Sequence, residues 1–196
     1  MHKITILLSL LFALSLNAQD KPTAPAIPES EQSKAVKPNL IFKGQIYTLD
    51  DVSSQNDIVT NHYFLPAQVP DKFSRRLSVS VNKNAEDPAA TAKEAMARHI
   101  KDGADAELAP EAPEGTTGIY VIQLLETGLH YDIYLYSSSP DGNDIIVKQI
   151  ASRSSRTKKL AAMKIMKQTR AQLIDLLAKT TFPTMTAIAE PKKQGE

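Results

Sequence analysis

The sequence contains no cysteine and no tryptophan among its 196 residues. The absence of cysteine excludes a disulfide framework, a thiolate zinc site, a thiol nucleophile and an iron–sulfur cluster. The chain also lacks an excess of positive charge, because it has 23 Lys and Arg residues and 22 Asp and Glu residues. Dedicated nucleic-acid-binding proteins normally carry a clear positive excess, so we expect no nucleic-acid partner.

Motifs of several large enzyme classes are also missing. The sequence has no Gly-x-Ser-x-Gly nucleophile motif, no glycine-rich phosphate loop and no His-Glu-x-x-His zinc motif. We therefore expect no cofactor and favour a non-enzymatic protein, while an enzymatic role stays open.

The N-terminus has the pattern of a secretory signal peptide. Lys3 supplies a positive charge, and residues 4–16 form a nearly unbroken apolar run of 13 residues before Ala18. A bilayer-spanning helix needs about 20 apolar residues, so this run is too short for a stable anchor. We predict a signal peptide over residues 1–18, cleaved there or after Ser15. The mature chain is then expected to be periplasmic or secreted, without a transmembrane segment.

A proline-rich segment follows the leader. Residues 19–39 contain four prolines and almost no large apolar side chain. Such a stretch cannot offset its ordering entropy by burial, which predicts a disordered linker. We expect a single domain over residues 40–183 and a flexible polar tail over residues 184–196.

Six strands are predicted from apolar runs and from the alternation of apolar with polar residues. They cover residues 40–49, 58–65, 73–81, 119–125, 130–136 and 145–150. Residues 50–57 are polar and predict a loop that contains Asp50 and Asp51. The last three strands are joined by short turns and form an antiparallel meander.

Two helices complete the predicted fold. The first begins at Pro88, because Asp87 is a favourable N-cap and proline suits the first helical position, and it ends at Gly103. The second covers residues 157–179 and carries one wide apolar stripe. The sequence thus predicts an α+β fold, an antiparallel sheet of about six strands packed by two helices, the C-terminal one long.

Strand alternation places four chemically versatile residues on one face. His130, Asp132, Tyr134 and Tyr136 are two positions apart and point the same way, and His62 could lie on an adjacent strand. This pattern fits a metal site, an acid–base pair, or an aromatic face for a ligand or a protein partner. Because the histidines are dispersed and form no spaced motif, we expect no metal site. An ordinary polar strand face, or packing beneath a covering helix or loop, fits it as well.

Charge is unevenly distributed along the chain. No acid occurs between Ala151 and Ile174, whereas residues 86–114 carry eight acids. The basic segment contains Arg153, Arg156, Lys158, Lys159, Lys164, Lys167 and Arg170. Three interpretations fit these residues. They could form a cationic patch for an anionic partner, a solvated helix face, or an intramolecular match to the acidic segment.

A resemblance to known proteins rests on short motifs and on the order of the elements. The motifs are Phe64-Leu65-Pro66, Phe73-Ser74 and Asp87-Pro88, followed by the meander and the long helix. Over about residues 58–182 the chain resembles small exported bacterial proteins of unknown function, and its order is similar to the PsbP-type fold. PsbP-like relatives often have tryptophan where this chain has Phe73. The resemblance implies an accessory or binding role without a defined reaction, so no catalytic residue is carried over.

We therefore hypothesise an exported, non-catalytic binding or accessory domain of the cell envelope. Its partner is expected to be an unidentified protein or an anionic envelope component. The alternative is a small extracytoplasmic hydrolase or ligand carrier that uses the face of His130, Asp132, Tyr134 and Tyr136.

Overall fold

The computed structural model describes residues 37–83, 85 and 87–185. The predicted signal peptide, residues 1–18, lies outside these residues, as do most of the predicted linker and most of the predicted tail. Within the described residues, no helix is both long enough and apolar enough to cross a bilayer.

Eight strands form one antiparallel sheet in the described part of the chain. The strands are β1 (Asn39–Phe42), β2 (Gln45–Gln55), β3 (Ile58–Phe64), β4 (Arg75–Lys83), β5 (Asp105–Ala109), β6 (Thr116–Leu125), β7 (Gly128–Ser138) and β8 (Asp144–Ser155). Their order across the sheet is β1-β2-β3-β4-β8-β7-β6-β5. The sheet therefore consists of two groups, β1 to β4 and β5 to β8, in which strands that follow one another in the chain are also neighbours in the sheet. The two groups meet where β4 pairs with β8.

The predicted α+β fold with about six strands is wrong in its strand count, because the described chain is mostly sheet and has eight strands. Residues 40–49 form two strands, since Lys43 and Gly44 have positive φ values of 50° and 72° and reverse the chain between them. Pairs of residues with positive φ form the tight turns of β-hairpins. The other additional strand, β5, lies in the acidic segment, where the sequence predicts no strand.

Residues 50–57 are predicted to be a loop, but residues 50–55 instead extend β2. The turn into β3 is made later by Asn56 and Asp57, whose φ values are 48° and 63°. Asp50 and Asp51 therefore lie on a strand, contrary to the prediction. An antiparallel strand tolerates such polar residues when one of its faces is in water.

Helix α1 (Pro88–Lys101) covers one face of the sheet, which we call the α1 face. It begins as predicted, because the carboxylate of Asp87 accepts a hydrogen bond from the backbone N–H of Ala89 at 2.8 Å. Ala92 and Ala95 are buried in the cluster that joins α1 to the sheet. Their small side chains let the helix lie close to β5, β6 and β7.

Helix α2 (Lys159–Lys179) follows a single 3-10 turn (Arg156–Lys158) and packs on the opposite face, which we call the α2 face. Its C-terminal half is buried there through Leu173, Ile174 and Leu177. The sheet thus lies between one helix on each face, and the larger core is on the α2 face.

Two features hold the C-terminal half of α2 on the sheet. Gly118 of β6 lies beneath Ile174, and a Cβ atom at Gly118 would collide with the Ile174 Cδ1. Lys148 of β8 donates hydrogen bonds from Nζ to the carbonyl oxygens of Ala178 and Thr180, at 3.0 and 2.8 Å. These bonds satisfy carbonyl groups that the end of a helix leaves without an intrahelical partner.

Candidate ligand-binding cleft

Strand β7 carries the four residues of the predicted ligand face. His130, Asp132, Tyr134 and Tyr136 all lie on the α1 face, while the residues between them enter the larger core. Helix α1 covers one end of the row, where Tyr136 is buried and the ring of His99 packs against Tyr134 with centroids 5.4 Å apart. At the other end, His130 lines an open cavity.

Asp132 is held in an ion pair with Arg153 of β8. Nη1 of Arg153 lies 2.6 Å from Oδ1 of Asp132, and Nη2 lies 3.5 Å from Oδ2. The two side chains are only 23% and 13% exposed, so water screens the pair weakly. A carboxylate in such a charge-assisted contact is not free to act as a general base. Arg153, predicted to belong to the basic patch, instead lies on the α1 face.

Arg76 of β4 is a second arginine on the same face. Its Nη2 donates a hydrogen bond to Oε1 of Gln149 at 3.3 Å, while its Nε is buried and has no acceptor among the described residues. It forms no ion pair with a carboxylate in the described part of the chain. Burial lowers the pKa of Arg76, and the more distant charge of Asp132 only partly opposes this effect. Arg76 therefore presents a positive charge that no described carboxylate contacts directly.

Side chains of three neighbouring strands join the two arginines into one network. Gln149 also donates from Nε2 to the Tyr134 hydroxyl at 3.1 Å, and that hydroxyl donates to Oδ2 of Asp132 at 3.5 Å. Burial, followed by the charge of Asp132, raises the pKa of Tyr134, and burial raises the pKa of Tyr136 to about 12. Both phenols therefore keep their protons at neutral pH.

An aromatic ring supports both guanidinium groups. The Cζ atoms of Arg76 and Arg153 lie 5.1 and 5.2 Å from the centroid of Phe73. Phe73 in turn packs edge-on against Phe64, with centroids 5.7 Å apart. Cations placed over an aromatic ring are attracted by its quadrupole, and the packing restricts their motion. The two arginines are thus held in place before any ligand arrives.

The cavity in front of these groups, which we call the arginine cleft, has a volume of about 780 Å³ and is open to solvent. Its lining includes three cationic residues, His130, three serines and one acid, Asp71. The cations are Lys72, Arg76 and Arg153, and the serines are Ser74, Ser154 and Ser155. Cations and hydroxyl donors in one recess are the groups that recognise a carboxylate or a phosphate.

The histidines do not come together. His62 lies on β3 and His130 on β7, and two other strands, β4 and β8, lie between them in the sheet. Its Nδ1 is 2.8 Å from the hydroxyl of Ser78, and burial followed by the charge of Arg76 lowers its pKa to about 4. Burial and the charge of Arg153 also lower the pKa of His130. Among the described residues, no group of three His, Cys, Asp or Glu side chains is arranged to hold a metal ion.

The predicted basic patch is divided by the fold. Arg170 forms an ion pair with Glu107, and its Nε lies 3.8 Å from Oε1 of Glu111. At this residue the basic segment therefore pairs with the acidic segment of the same chain. The side chain of Lys159 is outside the described part of the structure. The remaining cations are exposed: Arg156, Lys158, Lys164 and Lys167.

Sequence reasoning does not identify Arg76, Lys72 and Phe73 as parts of a site. A usable signal is the alternation within β4, where Arg76 shares a face with the small polar residues Ser78 and Ser80. A long cation on such a face has room to extend over its neighbours. Its partner Gln149 comes from β8, so only the pairing of distant strands reveals the network.

The model of one protein family matches residues 34–182, about three quarters of the chain and nearly all of the described fold. The family is of an uncharacterised bacterial type, so the match itself assigns no activity. A comparison with curated proteins finds no match.

Proposed function

The chain belongs to this family of uncharacterised bacterial-type proteins, and we propose that it is an exported, non-catalytic protein that binds an anionic ligand in the arginine cleft. The observation that carries the proposal is Arg76. Its guanidinium lines an open cavity beside Lys72, without an ion-pair partner among the described carboxylates. A half-buried cation without a direct ion-pair partner is costly for the isolated protein, and an anionic ligand supplies the missing partner.

The arrangement supports binding over catalysis. The carboxylate of Asp132 already accepts hydrogen bonds from Arg153, and the raised pKa of Tyr134 keeps that phenol protonated. An acid–base reaction would first have to break the ion pair at the cost of leaving both charges partly buried. A ligand carrier uses the same groups without changing their protonation.

Export is the second part of the proposal. The charged start followed by the apolar run of residues 4–16 supports it. N-terminal sequencing of protein recovered from the envelope or the medium should begin after Ala18 or Ser15. Recovery of a chain from the cytosol that begins at Met1 would contradict export. The similarity in element order to the PsbP-type fold remains a prediction.

Binding is tested with inorganic phosphate and citrate as probes, by calorimetry at low salt. Arg76→Gln should weaken binding about tenfold or more, since hydrogen bonds to charged groups contribute about 1.5–3 kcal/mol. The matched control is Arg75→Gln, because Arg75 lies next in the chain but on the opposite face of the sheet. Equal losses in the two variants, or no binding of either probe by the wild type, would refute the proposal.

A further inference from the structure

Helix α2 is buried along only half of its length. Leu173, Ile174 and Leu177 lie in the core, whereas Leu160 and Ile165 in the N-terminal half are 75% and 59% exposed. Ile165 lies beside a groove that Leu65 and Met166 also line, whereas Leu160 lies in water, which is unfavourable for a large aliphatic side chain. The N-terminal half of α2 therefore leaves apolar side chains exposed among the described residues.

Exposed cations lie on the same side of the helix as Leu160, because Lys164 and Lys167 follow it by four and seven residues. Lys158, Lys164 and Lys167 are exposed, and Arg156 precedes them in the 3-10 turn. None of the four forms an ion pair with a described carboxylate, in contrast to Arg170 further along the helix. The helix also begins without an acid in its first turn and without a side-chain cap. Cations at a helix N-terminus oppose the helix dipole, so this end of α2 is not arranged for its own stability.

The turn between β6 and β7 extends the same surface. Leu124 is 58% exposed, and with Leu125 and Arg156 it lines a shallow cavity of about 410 Å³. Glu126 is the one acid on the lining of this cavity. The surface thus combines exposed leucines with four cations, and we call it the α2 basic surface.

We propose that the α2 basic surface adsorbs to a membrane whose outer layer contains anionic lipids. Lipid phosphates satisfy the four cations, while the boundary of the acyl chains accepts the aliphatic side chains of Leu124 and Leu160. Long lysine stems can lie along the apolar layer and keep their ammonium groups at the phosphates. Clustered cations close to a membrane surface are attracted by anionic lipid head groups. The adsorption is independent of ligand binding in the arginine cleft.

The test measures cosedimentation of the protein, as isolated from cells, with two kinds of vesicle. One contains equal parts of phosphatidylglycerol and phosphatidylcholine, and the other contains phosphatidylcholine alone. The protein should bind the anionic vesicles, and binding should fall steeply as salt is raised, because salt screens the attraction. The double variant Lys158→Gln with Lys164→Gln should bind on the order of tenfold more weakly, since each cation near an anionic surface contributes a few-fold in affinity.

The matched control is the double variant Lys93→Gln with Lys101→Gln, which removes two exposed cations of α1 on the other face. It should bind like the wild type. Equal binding to both kinds of vesicle, no binding to either, or equal losses in the two double variants would overturn the proposal. Phosphate binding in the arginine cleft should be unaffected by Lys158→Gln with Lys164→Gln, which separates this surface from the cleft.

The absence of tryptophan provides a second readout. Leu160 is largely exposed, so Leu160→Trp should leave the fold intact and give the chain its first indole fluorescence. Anionic vesicles should shift this emission to shorter wavelength, and brominated lipids should quench it. Emission that is unchanged by saturating anionic vesicles would overturn the proposed contact of Leu160 with lipid.

Discussion

His62 should make the stability of this fold sensitive to mild acid. Its side chain is 14% exposed, and burial, followed by the charge of Arg76, lowers its pKa from 6.5 to about 4, while Asp51 acts weakly in the opposite direction. In the unfolded chain the imidazole regains its ordinary pKa. Below pH 6.5 the unfolded state therefore binds a proton that the native state does not accept. This contribution to stability is complete above that pH and is lost as the pH falls toward 4.

The size of the effect follows from the two pKa values. The whole difference corresponds to about 3 kcal/mol of unfolding free energy, of which about 2 kcal/mol should be lost by about pH 5. Urea unfolding followed by circular dichroism, from about pH 7.5 to about pH 5, measures this loss. The variant His62→Gln keeps a polar group opposite Ser78 but cannot be protonated. The stability of the wild type relative to this variant should therefore fall by about 2 kcal/mol over the range.

A control variant separates titration from the loss of a strand contact. Thr60→Val breaks the 2.9 Å hydroxyl contact between Thr60 and Ser80, which joins the same two strands and does not titrate. Its effect on stability should be the same at every pH. If the difference between wild type and His62→Gln were constant across the range, the reasoning would be refuted. So would an NMR titration of the His62 ring with a midpoint near its ordinary pKa.

Three further substitutions test how the helices are held. Lys148→Met should lower the unfolding free energy by about 1–3 kcal/mol in urea titrations, because carbonyl groups at the end of α2 lose a charged donor. Unchanged stability would contradict the capping role of Lys148. Gly118→Ala should lower the unfolding free energy by about 1–3 kcal/mol in the same measurement. The double variant that adds Ile174→Val should recover part of that loss, because it removes the colliding methyl group. Asp87→Ala should cost about 1 kcal/mol through loss of the bond to the Ala89 N–H, whereas Asp87→Asn should cost less.

Local signals predict those parts of the fold that depend on near neighbours in the chain. Asp87 and Pro88 mark the start of α1 because a cap is formed within a few residues. The alternation in β7 places His130 and Asp132 on one face because the side-chain period of a strand is two. The strand count fails at Lys43, a residue for which a positive φ is not expected from its type, so the turn between β1 and β2 leaves little trace in the sequence.

The candidate site depends on distant pairings that no local pattern encodes. The sequence identifies Asp132 but not its partner, because Arg153 reaches it from β8. Arg76 and Gln149 meet only because β4 pairs with β8. The predicted basic patch is divided for the same reason, because Arg170 pairs with Glu107 of the edge strand β5, which is distant from it in the chain.

The seam between β4 and β8 has a consequence for synthesis. Even Lys83 and Asp144, the nearest residues that pair across it, are separated by α1 and three strands. A nascent chain leaving the ribosome therefore completes β1 to β4 long before the strand that must join β4 has been made. Long-range pairing of this kind also folds slowly, because loop closure must precede the contacts that stabilise it. The two halves of the sheet thus cannot join until β8 has been made, when most of the chain has already been translated.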